Sequence, residues 1–525
     1  MLDASRSDFI PVFWLLFAVA VIFLFSMGNH PFIPSMEPRF GEAMREMIAN
    51  GQYLIPIKNG VAYIEYPPLY YWLAVAGSLA GLPDTYAVRL PAFCAFLLWL
   101  VWMVRLQQLL FPTWPKVLLP LLGATVPIVI YNFFIAQTDG LLTLGALVAF
   151  TGFARYRLGM ASTGFVWELW LGVTLAVAAK GPVGIVITLP AMFLEIALAH
   201  APMFSAANTR HYPWRTAWKE VWRMGWLRGI GLILLFNAPW YIAAGVQQGW
   251  EFCRAILVYQ NFTRFFEGYS HPQPLWYFGR TIWYDFFPLS LLLPFGLVMA
   301  WRQRKNFTVR LPVLWLVYTV VFFSISQSKQ GKYLMPAAPA LAVLAIMPLM
   351  GAWSETIRRR VRTGFVVWAW ALLAVAAVLA ILVLPRYAER IGGVGDFAQI
   401  RTVMNEHPGK LYIYQWPRAM MLYELGHPLP YFRSARDLYV ALQSGMLRVG
   451  DYMLADQRYV VRASDIPNGE SLVPTPQAPY LEMVLDLHQD QHLVLYRVMP
   501  DAASAPLPAT PEPYPVRWWE RFDTD

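Results

Sequence analysis

Long apolar runs separated by short polar loops occupy most of the chain before residue 385. A helix needs roughly 17–25 apolar residues to cross the hydrocarbon core of a bilayer. Most of the runs reach that length, and those between residues 140 and 199 lie near or below it. The pattern predicts an α-helical polytopic membrane protein with about 11–13 spans. We place eleven candidate spans at residues 10–28, 88–110, 117–135, 140–154, 164–179, 183–199, 229–247, 281–300, 311–326, 334–351 and 364–384.

The basic residues of the loops fall on alternate sides of these spans. One set of loops carries the clusters Arg105 to Lys116, Arg155 and Arg157, Arg210 to Arg228, Arg302 to Arg310, and Arg358 to Arg362. Because cytoplasmic loops carry an excess of lysine and arginine, this pattern predicts a cytoplasmic N-terminus. The opposite, periplasmic side then receives residues 29–87, 248–280, 327–333 and everything after 385.

Composition supports the same class of protein. Of the 525 residues, 58% are hydrophobic and 14% are charged, whereas a soluble domain carries about 25% charged residues. The net charge of +9 is concentrated in loops that set membrane orientation, so we expect no nucleic-acid partner. The two cysteines, Cys94 and Cys253, provide no disulfide framework.

Residues 385–525 differ in composition from the rest of the chain. They are polar and proline-rich and contain short segments typical of strands, at Lys410–Trp416, Tyr452–Ala455 and Val494–Val498. We predict a transmembrane domain at 1–384, which includes a first periplasmic loop at 29–87, and a small periplasmic α/β domain at 385–525. The tail Ala505–Pro515 is expected to be loosely ordered.

The first periplasmic loop is unusually charged for a segment that follows a membrane span directly. Glu37 can act as a general base or hold an acceptor, and Arg39 follows it closely. Glu65 lies in the segment Tyr63-Ile-Glu-Tyr-Pro-Pro, where two prolines restrict the backbone. Tyr63 and Tyr66 can contact a sugar. In the alternative interpretation, Glu37 and Arg39 cap an interfacial helix at 39–49 and the aromatic residues form an interfacial belt.

Two further charged residues interrupt apolar sequence on the same predicted side. Asp139 lies between two apolar runs, and an ionisable residue at membrane depth is a functional candidate. The same residue can instead cap the N-terminus of the following helix. Lys180 precedes Gly181 and Pro182 and suits a phosphate partner; its alternative is to extend its ammonium towards the interface.

The remaining candidates lie in two later periplasmic loops. Arg264 has the planar guanidinium that suits phosphate. His271 is a candidate metal or substrate ligand, although for a single histidine a structural role is the better prediction. Lys329 and Lys332 stand beside Tyr333, on the side where basic residues are usually rare. Cations near carboxylates such as Glu37 and Asp139 favour glycosyl transfer from a lipid phosphate, because cations stabilise the departing phosphate.

The same clusters resemble the aminoarabinose-transferase-like branch of the GT-C glycosyltransferases, which are related to dolichyl-phosphate-mannose protein mannosyltransferases. The resemblance covers roughly residues 10–350 and is most specific in the first loop. The matching residues are Glu37, Arg39, Phe40, Glu42, Arg45, Glu46, Met47, Tyr63, Glu65, Pro67, Pro68, Arg89, Asp139, Lys180, Pro239, Trp240, Arg264, Phe265, His271, Lys329, Lys332, Tyr333 and Pro336.

The resemblance implies a GT-C fold with interfacial helices in the first loop and a polyprenyl-phosphate-linked sugar donor. Its implied roles are catalysis for Glu37 and Asp139 and sugar or acceptor binding for Arg39, Tyr63, Glu65 and Tyr66. The donor phosphate falls to Lys180, Arg264, Lys329, Lys332 and Tyr333. Family members can bind a divalent metal, for which Glu65 and His271 are the candidate pair. This chain departs from the family at Met36, where an aspartate is expected, and at Tyr66, where a lysine is expected.

These features predict an inverting glycosyltransferase of the cell inner membrane. It would transfer a hexose or pentose from undecaprenyl phosphate to lipid A of lipopolysaccharide, or to another envelope glycolipid, at the periplasmic face. A protein hydroxyl is the alternative acceptor. A transporter or flippase of anionic lipid is the rival from another class, and the apparent lack of an inverted repeat weighs against it.

Overall fold

The structure of the protein is a computed structural model. It describes residues 10–34, 36–160, 166–201, 203–204, 214–267, 272–350, 355–414, 417–426, 428–432, 435–456, 481–487 and 493–500. The chain divides into two compact units, one formed by residues 1–28 and 64–381 and the other by residues 29–63 and 382–525. Residues 29–63 therefore belong to the same unit as the C-terminal part, whereas the predicted division grouped them with the spans.

The first unit is helical. Short 3-10 or π-helical segments connect several of its helices, at Ala255–Thr263, Leu289–Leu292, Gly331–Ala337, Met347–Met350 and Leu379–Val383. The α-helices are α1 (Ile10–Gly28), α3 (Leu69–Leu79), α4 (Asp84–Leu110), α5 (Leu118–Ala124), α6 (Pro127–Phe134), α7 (Asp139–Arg157), α8 (Trp167–Lys180), α9 (Val183–Val186), α10 (Leu189–Ala199), α11 (Trp214–Arg223), α12 (Trp226–Gln248), α13 (Trp250–Arg254), α14 (Arg264–Glu267), α15 (Tyr277–Asp285), α16 (Leu293–Arg302), α17 (Phe307–Ile325), α18 (Ala338–Ile346) and α19 (Glu355–Val378).

Five of the described helical segments are long and apolar enough to cross a membrane, or six if the bent pair α15–α16 is one span. They are Ile10–Gly28, Asp84–Leu110, Trp226–Gln248, Phe307–Ile325 and Arg359–Gly392. Several other predicted runs form shorter helices. The run at 117–135 is divided into α5 and α6, with Pro127 at the start of α6, because proline lacks the N–H that a continuous helix requires.

Glycines allow α7 and α8 to pack backbone against backbone. A Cβ atom on Gly172 would lie 2.3 Å from the backbone nitrogen of Ala149, and one on Gly152 would lie 2.3 Å from that of Leu169. Small residues permit this close approach between helices in membranes. Since Gly152 of α7 meets the start of α8 near Leu169, the two helices run antiparallel. The first residue of α7 and the last residue of α8 therefore lie at the same end of the pair.

The second unit contains α2 (Glu37–Ala49) and a two-stranded hairpin of β1 (Ile57–Lys58) and β2 (Val61–Ala62). Its other elements are α20 (Leu384–Gly392), α21 (Val394–Glu406), β3 (Leu411–Tyr414), α22 (Ala419–Leu425), β4 (Tyr431–Phe432), α23 (Ala435–Gln443), β5 (Tyr452–Asp456), β6 (Leu481–Leu487) and β7 (Leu493–Val498). The last five strands form one sheet in the order β4-β3-β5-β7-β6. β3 is parallel to β4 and β5, whereas β7 is antiparallel to β5 and β6.

The apolar side chains of this sheet form the core of the second unit. Alternate residues of the strands, such as Tyr412 and Tyr414 of β3, form one buried cluster with side chains of α23, such as Leu438 and Leu442. The predicted strands are confirmed at Leu411–Tyr414, Tyr452–Asp456 and Leu493–Val498, and the predicted interfacial helix corresponds to α2. Residues 415–416 of the first predicted strand and the tail Ala505–Pro515 lie outside the described residues. A polytopic helical protein with a small α/β domain is thus confirmed.

A candidate site of buried cations and carboxylates

Asp139 and Lys180 form a buried ion pair at one end of the α7–α8 pair. The Lys180 ammonium donates to Asp139 Oδ1 at 2.6 Å, and the Asp139 side chain is 2% exposed. Asp139 starts α7 and Lys180 ends α8, which places each charge at the helix terminus whose dipole it complements. The antiparallel packing of the two helices therefore creates this pair.

A second lysine reaches the same carboxylate. The Lys332 ammonium lies 3.7 Å from Asp139 Oδ2 and 3.4 Å from Gln137 Oε1. Gln137 in turn donates a short hydrogen bond to the side chain of Asn132. Gln137 is absent from the predicted site; its only sequence signal is its place two residues before Asp139. One carboxylate thus holds two ammonium groups in a fixed arrangement.

Two tyrosine rings enclose Lys180. Its ammonium lies 5.7 Å from the ring centroid of Tyr66 and 5.7 Å from that of Tyr333. Such cation–π distances favour a desolvated ammonium. Burial, together with the carboxylates of Glu65 and Asp139, raises the pKa of Tyr66 well above its ordinary value. Tyr66 is therefore a neutral hydrogen-bonding group at a position where the resemblance implies a lysine.

Arg264 and Glu65 belong to the same cluster. Burial lowers the pKa of Arg264, but the nearby Glu65 carboxylate raises it and the net shift is upward, so the guanidinium remains charged. Arg264 Nη1 also donates to Gln260 Oε1 at 2.6 Å. Gln260 is a further residue that the sequence prediction did not assign, and only its position one helical turn before Arg264 indicates the contact. The structure thus brings Glu65, Tyr66, Asp139, Lys180, Arg264, Lys332 and Tyr333 together within the first unit.

Lys329 has a different environment from Lys332. Its ammonium donates to the backbone carbonyls of Gln273, at 2.7 Å, and of Ser326, and the residue is 4% exposed. The backbone N–H of Gln327 donates to the carbonyl of Phe265 in the same region. These contacts favour a role for Lys329 in joining two loops rather than in binding phosphate.

The remaining predicted residues of the first loop lie in the second unit. Glu37 is fully buried, and its Oε2 accepts a hydrogen bond from the backbone N–H of Ile33 at 2.9 Å. Arg39 is half-buried on α2. Tyr63 is fully buried, with the Lys58 ammonium 4.8 Å from its ring centroid. These contacts organise the second unit, and the catalytic role of Glu37 and the binding roles of Arg39 and Tyr63 stay predictions.

Helix α2 carries two further carboxylates after Glu37, those of Glu42 and Glu46. Glu42 is fully buried, and burial together with Glu46 raises its pKa to about 8, against the opposing effect of Arg45 and Lys58. Glu46 itself accepts a hydrogen bond from the backbone N–H of Gly60 at 2.9 Å. Glu46 thus ties α2 to the β1–β2 hairpin, and Glu42, with its raised pKa, lies beside this contact.

The structure describes one of the two residues of the predicted metal pair. Glu65 is 8% exposed in the cluster described above, whereas His271 lies outside the described residues. Among the residues that the structure describes, no group of three histidine, cysteine, aspartate or glutamate side chains is placed to hold a metal ion. The pair Glu65 and His271 therefore stays a prediction.

Comparison with known proteins identifies the class of this fold. No family model matches the chain. The structure of ArnT from Cupriavidus metallidurans bound to undecaprenyl phosphate superimposes with a TM-score of 0.68 at 17% identity, and covers 93% of this chain and 98% of that one. An oligosaccharyltransferase from Archaeoglobus fulgidus, tethered with an acceptor peptide, gives a TM-score of 0.52 at 13% identity, with 87% of this chain and 70% of that one covered. The fold is that of the GT-C membrane glycosyltransferases.

Sequence relatives narrow this class. The undecaprenyl phosphate-alpha-4-amino-4-deoxy-L-arabinose arabinosyl transferase of Pseudomonas paraeruginosa is 27% identical over 389 residues. The alignment spans 71% of this chain and 66% of that relative, slightly less than two thirds of its length. The resemblance to aminoarabinose transferases that the first-loop motif predicts is confirmed by this similarity.

Proposed function

We propose that this protein transfers a sugar from undecaprenyl phosphate to lipid A or another envelope glycolipid. The observation that carries the proposal is the cluster in the first unit, where Asp139 holds Lys180 and Lys332 beside Tyr66 and Tyr333. Burying two ammonium groups beside one carboxylate costs free energy in a membrane protein, so this arrangement indicates a function. A lipid-linked phosphate is the partner that this charge arrangement suits, and the relatives named above support the choice.

The proposed reaction is a single displacement at the anomeric carbon. An acceptor oxygen forms a bond to this carbon while the bond from the carbon to the phosphate oxygen breaks, and the configuration inverts. The electron pair of the broken bond stays on the departing polyprenyl phosphate. Lys180, Lys332 and Arg264 stabilise the charge that develops on this phosphate, because cations already in position need no reorganisation during the step. Asp139 keeps the two lysines in place.

The same geometry favours an anionic acceptor. Asp139 is engaged by two ammonium groups, so its basicity is reduced and it is poorly suited to remove a proton from a hydroxyl. A phosphate of lipid A is already ionised and needs no such base. A protein hydroxyl would need one, which is why we place the glycolipid acceptor first.

An apolar groove in the first unit offers a place for the lipid tail of the donor. Its volume is about 440 Å³, enough for part of an isoprenoid chain. It lies between the bend of α15–α16 and helix α19. The groove is lined by Pro288, Leu291, Leu292, Val361, Gly364, Phe365 and Trp368.

Other features of the prediction remain part of this proposal. The charge bias of the loops supports a location in the inner membrane. It also supports a cytoplasmic N-terminus and a periplasmic C-terminal unit. A divalent metal at Glu65 and His271 is retained as a possible cofactor site, and no step above depends on it. The rival transporter would require paired broken helices in two repeats. The part of the chain that the structure describes contains one bent pair, α15–α16.

Mass spectrometry of envelope lipids tests the proposal and identifies the sugar. A strain that lacks the protein should lose one glycosylated lipid species, and the wild-type gene should restore it. Lys180→Met and Asp139→Asn should fail to restore it, although both proteins reach the membrane. Lys305→Gln, which removes an exposed cation of a predicted cytoplasmic loop, is the matched control and should restore it fully. An unchanged lipid profile in the deletion strain, together with a normal glycoprotein profile, would contradict sugar transfer.

A further inference from the structure

Helix α11 (Trp214–Arg223) has one face that packs on the protein. Ala217 is buried, and Glu220 lies on the same side. Glu220 forms an ion pair with Arg157, and its Oε1 lies 3.2 Å from Nε2 of His200. Its backbone carbonyl accepts a hydrogen bond from the Tyr156 hydroxyl at 2.8 Å. These contacts fix the rotation of the helix about its axis.

A second face of α11 consists of three exposed tryptophans. Trp214, Trp218 and Trp222 are 62%, 57% and 51% exposed. Residues four apart on an α-helix lie about 40° apart around its axis, so the three indoles fall within an arc of about 80°. The rings of Trp218 and Trp222 are in edge-to-face contact, with centroids 6.1 Å apart. The result is a continuous aromatic surface that the described part of the chain leaves uncovered.

A third face carries one basic residue after each tryptophan. Arg215, Lys219 and Arg223 are exposed and lie about 100° around the axis from the indoles that precede them. Within the described ranges, no carboxylate is within ion-pair distance of any of the three. The helix therefore presents an aromatic face and a basic face side by side, and it is held on the protein through the opposite side.

The position of α11 in the chain indicates what covers these faces. Gly225, with φ of 81°, ends the segment, and α12, which is long and apolar enough to cross a membrane, begins at Trp226. Helix α11 is thus joined directly to a candidate span, on the side that the charge bias predicts to be cytoplasmic. Tryptophan is enriched at the boundary between lipid and water, and basic side chains attract anionic headgroups there.

We propose that α11 is an anchor at the cytoplasmic surface of the membrane that recognises anionic phospholipid. The three indoles insert at the level of the acyl–headgroup boundary, and Arg215, Lys219 and Arg223 bind headgroup phosphates. Glu220 couples this lipid contact to the ends of α7 and α10 through Arg157 and His200. The inference is independent of the sugar-transfer reaction.

Spin labels in nanodiscs test the depth of the helix. We would replace Trp218 by cysteine in a background with Cys94→Ser and Cys253→Ser, and compare it with Gln303→Cys, an exposed position in another predicted cytoplasmic loop. The label at 218 should be accessible to oxygen and shielded from a water-soluble nickel chelate, and the label at 303 should show the reverse. A label at 218 that is as accessible to the chelate as the one at 303 would overturn the proposal and point to a protein partner or to solvent.

Charge-removing variants test the lipid preference. In detergent micelles titrated with phosphatidylglycerol, the wild-type protein should melt at higher temperature as this lipid is added. In Arg215→Gln/Lys219→Gln/Arg223→Gln, the half-maximal concentration should rise by about 100-fold, because each cation contributes about fivefold at an anionic surface. Arg302→Gln/Lys305→Gln/Arg359→Gln removes as much charge from other exposed positions and should keep the wild-type midpoint. Equal shifts in both triple variants would show a general charge effect and refute recognition by α11.

Discussion

The ion pair between Asp139 and Lys180 leads to a quantitative prediction for a double-mutant cycle. Asp139→Ala leaves Lys180 and Lys332, whose side chains are 15% and 18% exposed, without their shared counter-charge. Removing one partner of a buried pair costs about 3–5 kcal/mol of unfolding free energy. Lys180→Met alone leaves Asp139 with the more distant Lys332 and should cost a similar amount. In the double variant the two losses overlap, so we expect a coupling of about 2–3 kcal/mol.

Unfolding free energies of the four proteins, measured by titration with SDS, give this coupling directly. The matched cycle combines Asp139→Ala with Arg105→Met. Arg105 pairs with Glu168 near the other end of α8, about 18 Å along the helix from Lys180, and its side chain is 54% exposed. That cycle should be additive within about 0.5 kcal/mol. If the two cycles gave the same value, the pair would not hold the site together, and the positioning role of Asp139 would be refuted.

Three further predictions concern packing, loop structure and pH. Gly172→Val forces a side chain against the backbone of α7, so the protein should lose about 1–3 kcal/mol of stability and its transfer activity. Gly231→Val is the control and should lose neither, because Gly231 has open space around it. Equal melting temperatures of the two variants would contradict the close packing. Lys329→Met removes the donor to two backbone carbonyls and should lower the melting temperature without weakening undecaprenyl phosphate binding. Lys332→Met should weaken that binding about tenfold or more. The opposite result would make Lys329 the phosphate-binding residue and Lys332 the structural one. Because burial raises the pKa of Glu42 from 4.5 to about 8, its contribution to stability is complete below pH 4.5 and is lost as the pH rises through 8. Protection factors of the α2 amides, which are corrected for the intrinsic pH dependence of exchange, should fall over that range. Glu42→Gln should flatten this dependence, and an unchanged slope would assign it to another group.

Membrane segments and short strands were predictable because their signals are local. A long apolar run such as Ile10–Gly28 becomes a helix whatever its neighbours are, since backbone groups in lipid must bond within the segment. The strand at Tyr452–Asp456 follows in the same way from its aromatic and apolar residues between turn signals. The predicted runs that the structure divides into shorter helices show the limit of this reasoning, because apolar length does not report where proline interrupts a helix.

The sequence indicated several residues that the structure brings together in the candidate site, and their roles stay predictions. Asp139 and Lys180 were expected because charged residues in apolar sequence are rare. Lys332 was expected because basic residues are rare on the predicted periplasmic side. The arrangement of these side chains could not be predicted from the sequence, because it depends on glycine contacts between α7 and α8. Lys329 and Lys332 stand three residues apart and have the same local signal. One donates to loop carbonyls and the other reaches Asp139, a difference that depends on residues distant in sequence.

The sequence by itself determined that this is a helical membrane protein with a small α/β unit, and which charged residues are candidates for chemistry. It did so because hydrophobic length, charge bias and strand alternation are properties of short segments. Tertiary structure alone decided that residues 29–63 form a unit with the C-terminal part, that Asp139 holds two lysines, and that Tyr66 and Tyr333 enclose Lys180. Each of these outcomes joins residues far apart in the chain, and only the packing of whole helices brings them together.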